Sequence, residues 1–303
     1  MRWSYTLLAI AASIVFLGLP WGKSEQGQTA QRTVPAQVFQ QRKQYMDEGV
    51  VEHKPGAATV RVSDPRPLRQ AISTLNEEYG WIIDYEDPPY MSDAELIDIT
   101  DPKRRAANPN DRVTIPAGDG FQFDYDENSS IDRPEGKTAL LHKMVAAYNR
   151  SGNPGRFVVR EADNGRYAVI GSVVKNGVGQ DQSVSPILDT RISIPVEDRT
   201  AIDALSLVLK ELSVKSNTKV AIGWVPNNLL FNTRVTVGGN NLTARALVLQ
   251  IFNATGRPVS YSLLYFEDTH RYLLGAAVAV RAHRDAYGRK TLIPLDSRVT
   301  VPR

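Results

Sequence analysis

Two stretches of this chain repeat the same order of hydrophobic patterns, and this repetition constrains its fold more than any other feature. Residues 59–62 alternate as a strand does, a helical pattern follows, and an apolar strand comes next. The same order begins again at residues 191–194. Because amphipathic helices and half-apolar strands must each cover an apolar side, each stretch is expected to close its own layer of helices over strands.

The agreement extends to the second part of each stretch. Thr138 and Thr243 each open a second helical pattern, which ends at Gly152 in the first copy and at Gly256 in the second. A glycine just past a helix readily adopts the left-handed conformation that closes it. A closing hairpin follows in both copies. The apolar positions of these two helices are Leu141, Met144, Val145 and Tyr148 in the first and Leu247, Val248, Ile251 and Phe252 in the second.

The sequence therefore predicts an α+β protein of two tandem β-α-β-β-α-β-β modules, each with two helices packed on a small sheet. Strand-like residues 96–100 lie inside an insertion of the first module. The predicted segments are a signal peptide at 1–24, a flexible spacer at 25–56, module 1 at 57–171 with the insertion at 88–118, a linker at 172–188, module 2 at 189–285 and a basic tail at 286–303.

The N-terminus has the pattern of an export signal. Arg2 supplies a positive charge, and an apolar run from Thr6 to Leu19 ends at Pro20. That run is shorter than the roughly 20 residues of a membrane span and suits the apolar region of a secretory signal. We therefore expect a periplasmic or secreted protein, with an uncleaved inner-membrane anchor as the alternative.

The charge and cysteine content exclude several classes of function. Beyond Arg2 and Lys23 in the leader, 34 basic side chains stand against 33 acidic ones, so the mature chain is nearly neutral and does not predict nucleic-acid binding. The chain has no cysteine, which excludes disulfides and thiolate chemistry.

The second module resembles a known family. Val235–Val237, a polar turn, Leu242–Leu247 and a glycine-ended helix leading to Val259–Tyr261 look like the N-terminal short domain of secretins and TonB-dependent receptors. The resemblance covers residues 190–275, and it reaches residues 59–171 through the repeat. It implies a periplasmic interaction module without catalytic residues. This sequence contains no pattern of a secretin pore or receptor barrel, so the secretion and transport roles do not follow.

One acidic loop is close to a calcium-binding pattern. Residues 124–135 place oxygen-bearing side chains at positions 1, 3, 5, 9 and 12 of a twelve-residue loop. Ser129 stands where that loop needs glycine, Pro134 stiffens its end, and a strand precedes it instead of a helix. An ordinary acidic β-to-α loop is the alternative interpretation.

A second alternative places an enzyme site between two acidic strand ends. If the two strands were neighbours, their carboxylates could face each other across a sugar-binding groove lined by Trp81, Tyr85 and Tyr90. The equivalent loops of module 2 carry no acidic residue, which weighs against this site. The carboxylates are Asp84, Glu86 and Asp87 on one strand end and Asp124, Asp126 and Glu127 on the other.

The remaining local motifs are incomplete. Gly136-Lys137-Thr138 lacks the earlier glycine of a phosphate loop, because Ile131 stands there, and Thr138 or a neighbour is expected to cap the helix. Ser172 and Lys175 match a serine–lysine motif by spacing alone. Four scattered histidines lack metal-ligand spacing. The sequence thus predicts no catalytic, cofactor-binding or metal-binding residue and no cofactor.

These observations favour a non-catalytic, exported cell-envelope interaction or scaffold protein. The alternative is a calcium-binding or carbohydrate-acting envelope protein that uses the acidic loops of module 1. Another envelope protein is the expected partner, with no nucleic acid and no nucleotide. The basic end of the chain is a further candidate for contact with an acidic partner, through Arg281, Arg284, Arg289, Lys290, Arg298 and Arg303.

Overall fold

The computed structural model describes residues 49–296 apart from 128–130, 132, 163–164, 286 and 288. The predicted signal peptide, most of the predicted spacer and the end of the predicted tail lie outside these residues. Within them the fold is mixed α/β, with six helices and five sheets. The largest sheet has seven strands and contains both parallel and antiparallel pairs.

The helices and strands alternate along the chain. The helices are α1 (Pro67–Tyr79), α2 (Pro102–Ala107), α3 (Pro134–Arg150), α4 (Ala201–Ser216), α5 (Asn227–Asn232) and α6 (Ala244–Ala254). The strands up to residue 183 are β1 (Val50–Lys54), β2 (Ala57–Val62), β3 (Ile83–Glu86), β4 (Leu96–Asp98), β5 (Thr114–Pro116), β6 (Phe121–Tyr125), β7 (Arg156–Ala162), β8 (Arg166–Lys175) and β9 (Asp181–Ser183). The later strands are β10 (Arg191–Thr200), β11 (Lys219–Ile222), β12 (Arg234–Thr243), β13 (Val259–Phe266), β14 (Arg271–Val278), β15 (Val280–Arg284) and β16 (Lys290–Pro294).

The predicted helix ends are confirmed where local chemistry sets them. The Thr243 hydroxyl accepts a hydrogen bond from the Ala246 N–H and so caps the start of α6. Gly152 and Gly256 have φ angles of +79° and +65°, the left-handed conformation expected just past α3 and α6. Capping by Thr138 is wrong, because α3 begins at a proline and the Thr138 hydroxyl donates instead to the Pro134 carbonyl.

The same set of strand pairings occurs before and after residue 190. In the first part β2 pairs antiparallel with β6, β3 pairs parallel with β8, and β7 pairs antiparallel with β8. In the second part β10 pairs antiparallel with β12, β11 pairs parallel with β14, and β13 pairs antiparallel with β14. The paired strands thus follow one another in the same order in both parts, while the second part adds a helix, α5, between β11 and β12 that the sequence does not predict.

The two parts differ from the expectation of two separate sheets, because their strands join. β3 pairs in parallel with β13, which produces the strand order β11-β14-β13-β3-β8-β7, with β9 beside the end of β8. Without this pair, β3 and β13 would each leave one edge of main-chain N–H and C=O groups without a strand partner. Joining the edges satisfies those groups and removes two exposed sheet edges.

The helices of the two parts lie on opposite faces of the shared sheet. Tyr85 is paired with Ser262, and the next residue, Glu86, is paired with Leu263, so each pair shares one face. Tyr85 belongs to the core that contains α1 and α3, which defines the first face. Leu263 belongs to the core that contains α4 and α6, which defines the second face.

The segments predicted as spacer, linker, insertion and basic tail also contribute regular structure. β1 falls within the predicted spacer, β9 lies in the predicted linker, and Leu188 of that linker is fully buried in the second core. The insertion carries the β4–β5 hairpin and α2. The β15–β16 hairpin packs against α1, where Lys290 pairs with Glu77 at 2.7 Å. Apart from β4, which falls in the strand-like residues 96–100, the sequence does not predict these elements, and tertiary contacts reveal them.

A close backbone approach in the β10–β12 pair makes Gly238 sensitive to substitution. The register shifts between Ile194 and Glu197, and a Cβ placed on Gly238 would lie 2.4 Å from the Pro195 carbonyl oxygen. We expect Gly238→Ala to lower the free energy of unfolding by about 1–3 kcal/mol, because backbone must move. Urea unfolding measures this. Gly177→Ala, which has open space around it, is the control and should change stability by less than about 1 kcal/mol.

Candidate functional site

The first acidic group of the predicted alternative enzyme site lies at the centre of the shared sheet. Asp84 and Glu86 are on β3, and Asp87 follows directly. Their side chains are 2%, 2% and 0% exposed. Because a buried carboxylate is costly unless it is paired and hydrogen-bonded, each requires a partner, and each contacts an arginine.

Asp84 is held by two elements besides its own strand. Arg166 donates two hydrogen bonds to its carboxylate, from Nε at 2.6 Å and from Nη2 at 2.8 Å. The main-chain N–H of Tyr261 donates a third at 2.9 Å. Burial raises the pKa of Asp84, and these donors act in the opposite direction. Arg166 also donates to the Val259 carbonyl at 2.7 Å, so the pair connects β8, β3 and β13.

Glu86 binds the first turn of α6. Arg245 donates to its carboxylate from Nε at 2.9 Å and from Nη2 at 2.8 Å, and the Tyr261 hydroxyl donates at 2.7 Å. Arg245 also pairs with Asp189. Burial alone would lower the pKa of Arg245, but Glu86 and Asp189 raise it above its ordinary value. Arg245 therefore stays cationic between two carboxylates.

Asp87 connects the start of α1 to β13. Arg66 donates to it from Nε at 2.7 Å, the Tyr85 hydroxyl donates at 2.6 Å, and the Tyr265 N–H donates at 3.0 Å. Arg66 donates a further bond, at 2.8 Å, to the Tyr265 carbonyl. Burial raises the pKa of Tyr85 well above its ordinary value, as does the adjacent Asp87, so this hydroxyl remains a donor.

We call these three ion pairs the polar seam: Asp84–Arg166, Glu86–Arg245 and Asp87–Arg66. All three carboxylates also bond to residues of β13, so the seam fixes the second part of the chain against the first. The arginines lie 82, 159 and 21 residues away from their partners. No local pattern in the sequence indicates these pairs, because the partners meet only in the tertiary structure.

The second acidic group lies on a different sheet. Asp124 accepts a hydrogen bond from the Thr59 hydroxyl at 2.6 Å, and the Glu127 carboxylate lies 2.6 Å from Nδ1 of His53. β6, which carries Asp124, pairs with β2, whereas β3 pairs with β8 and β13. The premise that the two acidic strand ends belong to neighbouring strands is wrong.

The structure describes only part of the predicted calcium loop. Residues 128–130 and 132, at its centre, lie outside the described residues. Among the residues that are described, no group of three or more histidine or acidic side chains is placed to hold a metal ion. Calcium binding at residues 124–135 stays a prediction.

Lys137, from the incomplete phosphate-loop motif, lies over two aromatic rings. Its Nζ is 5.2 Å from the ring centroid of Trp81 and 4.8 Å from that of Tyr167. Burial lowers its pKa from 10.5 to about 8. Between these two pH values the unfolded chain keeps a proton on this amine that the folded chain has lost, so stability should rise with pH across that window.

Replacing Lys137 by methionine tests this arrangement. At pH 7 the folded wild type carries a charge in a site that disfavours it, so Lys137→Met should raise the free energy of unfolding by about 1 kcal/mol. Near pH 10.5 the difference should vanish, because the wild-type amine is then neutral in the folded state. Urea unfolding at both pH values provides the measurement. Lys143→Met, at an exposed position of the same helix, should have an effect that does not depend on pH.

The first face of the shared sheet carries an apolar groove where β13 and β14 extend beyond α1. The groove has a volume of about 320 Å³. Arg69, Ser73 and Asn76 of α1 line one side, and Trp224, which is 72% exposed, lines the other. We call its floor the open face: Ser260, Ser262, Leu264 and Phe266 of β13 and Leu273, Gly275 and Ala277 of β14.

A larger and more polar cleft, of about 720 Å³, lies where the connector before β10 meets the β13–β14 turn. Asp189 and His270 line it. Asp189 is already paired with Arg160 at 2.7 Å and with Arg245, and His270 Nδ1 lies 3.4 Å from the Tyr265 hydroxyl. The titratable groups of this cleft are thus held by the chain itself.

Within the described part of the chain, the helices are too short or too polar to cross a membrane. Comparisons with protein-family models, with curated proteins and with solved structures found no match for this chain. The candidate sites therefore stand on their own geometry: a buried polar seam that joins two parts of the chain, and an open face beside an exposed tryptophan.

Proposed function

We propose that the chain is an exported, non-catalytic protein of the cell envelope that acts by binding another envelope protein. It consists of two tandem short-domain-like modules held together as one rigid scaffold. The segment at residues 1–24 directs export, and the mature protein is periplasmic or secreted.

The polar seam is the observation that carries this proposal. The three carboxylates best placed to act as an acid, a base or a sugar-binding group are at most 2% exposed, and each is bonded to an arginine and to β13. A catalytic carboxylate must reach its substrate directly or through one water. These three are bonded within the fold, so they support a rigid scaffold better than they support glycan hydrolysis.

The repeated strand pairings support the two-module origin. The pairs β2–β6 and β10–β12 correspond, as do β3–β8 and β11–β14. Leu141 and Leu247, at the same place in the predicted repeat, are both fully buried. A single duplication of one short unit, whose two copies then paired edge to edge, accounts for these pairings.

Export can be tested by analysing the protein from a bacterium that expresses the full chain. We expect it in the periplasmic or secreted fraction, with a mature N-terminus close to residue 25 by mass spectrometry. An intact N-terminus on a protein found only in the cytoplasm would contradict export.

Partner binding can be tested by photo-crosslinking in the native envelope. A photoreactive phenylalanine analogue is placed, one position at a time, at Trp224, Phe231, Val214 and Val178, which are exposed apolar positions on different parts of the surface. We expect a discrete adduct of fixed mass from at least one position. If all four positions give only uncrosslinked monomer, the protein is not an interaction module of the envelope.

A further inference from the structure

The open face is the side of β13 and β14 that the helices of the second part, α4 and α6, do not cover. Along β13, Tyr261, Leu263 and Tyr265 are buried in the second core, while the residues between them point to the first face and are only half-buried. β14 alternates in the same way. The residues of the open face are all uncharged, and several are small. It is therefore suited to contact with an apolar surface.

The layer of helices on the first face ends before the sheet does. α3 lies against β7 and α1 against β3, while β13, β14 and β11 continue the sheet with no described helix over them on this face. Three strands spaced about 4.8 Å apart span about 10 Å, which is the diameter of one helix with its side chains. The β15–β16 hairpin also packs against α1, but none of its residues lines the groove, so the groove keeps about the width of one further helix beside α1.

The main chain of the open face disfavours an extended peptide as the occupant. β13 is paired on both sides, with β14 and β3, and β14 is paired on both sides, with β13 and β11. A strand laid across this face would find no main-chain partners, and its own N–H and C=O groups would lose water on that side. A helix satisfies its own main chain and needs only an apolar side to bind such a groove.

One end of the groove carries two arginines with unused hydrogen-bond donors, although Nη2 of Arg69 also lies 3.5 Å from the Asp64 carboxylate. Arg69 lines this end, and Arg271 lies opposite Phe266 in the sheet, on the same face as Leu273. The Nε atoms of both arginines are buried without a hydrogen-bond partner, and they are two of three such side-chain atoms among the described residues. Buried donors without acceptors are uncommon, and carboxylates are strong acceptors for guanidinium groups.

We infer that the open face binds an amphipathic helix of another envelope protein. The apolar side of that helix packs on Leu264 and Leu273, with Trp224 as an exposed anchor at the rim. Its acidic side chains lie at the end of the groove that carries Arg69 and Arg271. This inference rests on the proposed function, because it names the class of partner and the surface that partner uses.

The experiment selects occupants without assuming their sequence. A display library of random peptides about five helical turns long is selected against the full chain, with counter-selection against Trp224→Ala. We expect the enriched peptides to have apolar residues at helical spacing together with Asp or Glu near one end. Enrichment of peptides with strand-like alternation, or no enrichment at all, would overturn the inference.

Charge exchange then tests the position of the acidic end. For a selected peptide, Arg69→Glu and Arg271→Glu should each weaken binding at least about tenfold, and a Lys-for-Glu version of the peptide should recover affinity for these variants. Phe231→Ala, at an exposed aromatic residue that does not line the groove, should leave affinity unchanged. If the wild type and the three variants bind the peptide with equal affinity, the peptide binds outside the groove and the inference is overturned. Circular dichroism confirms that each variant is folded.

Two competing occupants give opposite results. If laurate shifts the Trp224 fluorescence and displaces the selected peptide, the groove is an acyl-chain site. If Trp224→Ala converts a dimer of the full chain to a monomer in sedimentation, the face pairs with a second copy. Either result overturns the helix inference. Adducts from the envelope at Phe231, Val214 or Val178, with none at Trp224, would overturn this inference alone and leave the proposed function standing.

Discussion

Asp84→Ala is expected to lower the free energy of unfolding by about 3–5 kcal/mol. The substitution removes a carboxylate that is 2% exposed and leaves Arg166, which is 11% exposed, with a buried charge and lost acceptors. The Tyr261 N–H loses its acceptor as well. Equilibrium urea unfolding, followed by circular dichroism, measures the loss.

Two matched variants make this result specific to the polar seam. Asp198→Ala removes an aspartate from an arginine pair in which both side chains are more than half exposed, and it should cost less than about 1 kcal/mol. Asp84→Leu combined with Arg166→Met removes both charges, and should recover much of the stability lost in Asp84→Ala. If Asp84→Ala and Asp198→Ala lower the free energy of unfolding equally, the seam does not hold the two parts of the chain together.

Leu141→Ala and Leu247→Ala are each expected to lower the free energy of unfolding by about 2–5 kcal/mol. Both leucines are fully buried, one on α3 in the first core and the other on α6 in the second. Because the cores lie on opposite faces of one sheet and are tied by the seam, damage to either should destabilise the whole molecule. We expect a single cooperative transition in both variants.

Trp81 fluorescence and far-ultraviolet circular dichroism test this cooperativity. Trp81 lies in the first core, so its emission reports the unfolding of that core once the other tryptophans, Trp3, Trp21 and Trp224, are replaced by phenylalanine. In Leu247→Ala the unfolding midpoints measured by Trp81 fluorescence and by circular dichroism should shift together to a lower urea concentration. A Trp81 transition that stays at its wild-type urea midpoint would mean that the two cores unfold independently. Val214→Ala, at an exposed position on α4, is the control for the loss of methyl groups.

Periodicity and capping in the sequence predicted the elements well. The alternation of residues 59–62 became β2, the apolar side of α6 contains Leu247, and the glycines after α3 and α6 are left-handed. These features depend on residues a few positions apart, so local chemistry determines them. The strand predicted inside the insertion is also confirmed, as β4.

The candidate sites could be predicted only in part. Sequence reasoning groups Asp84, Glu86 and Asp87 because all three lie at the end of one predicted strand. The alternative enzyme hypothesis places them in a groove with the acids that end β6, whereas the structure pairs them with arginines from β8, α6 and the loop before α1. Trp224 continues the alternation of Val220 and Ile222 in the sequence, but it lies just after β11, at the rim of the groove.

The sequence by itself determined the main helices and strands of the repeat, and their order, because those choices depend on propensities and hydrophobic spacing within a few residues. Only the tertiary structure decided that β3 and β13 would pair, that the helices would lie on opposite faces, and that buried charges would meet across the joint. The physical reason is that edge pairing and ion pairing depend on which surfaces become neighbours after the chain collapses. Residues such as Glu86 and Arg245 are far apart in the sequence, and their identity alone does not select the partner.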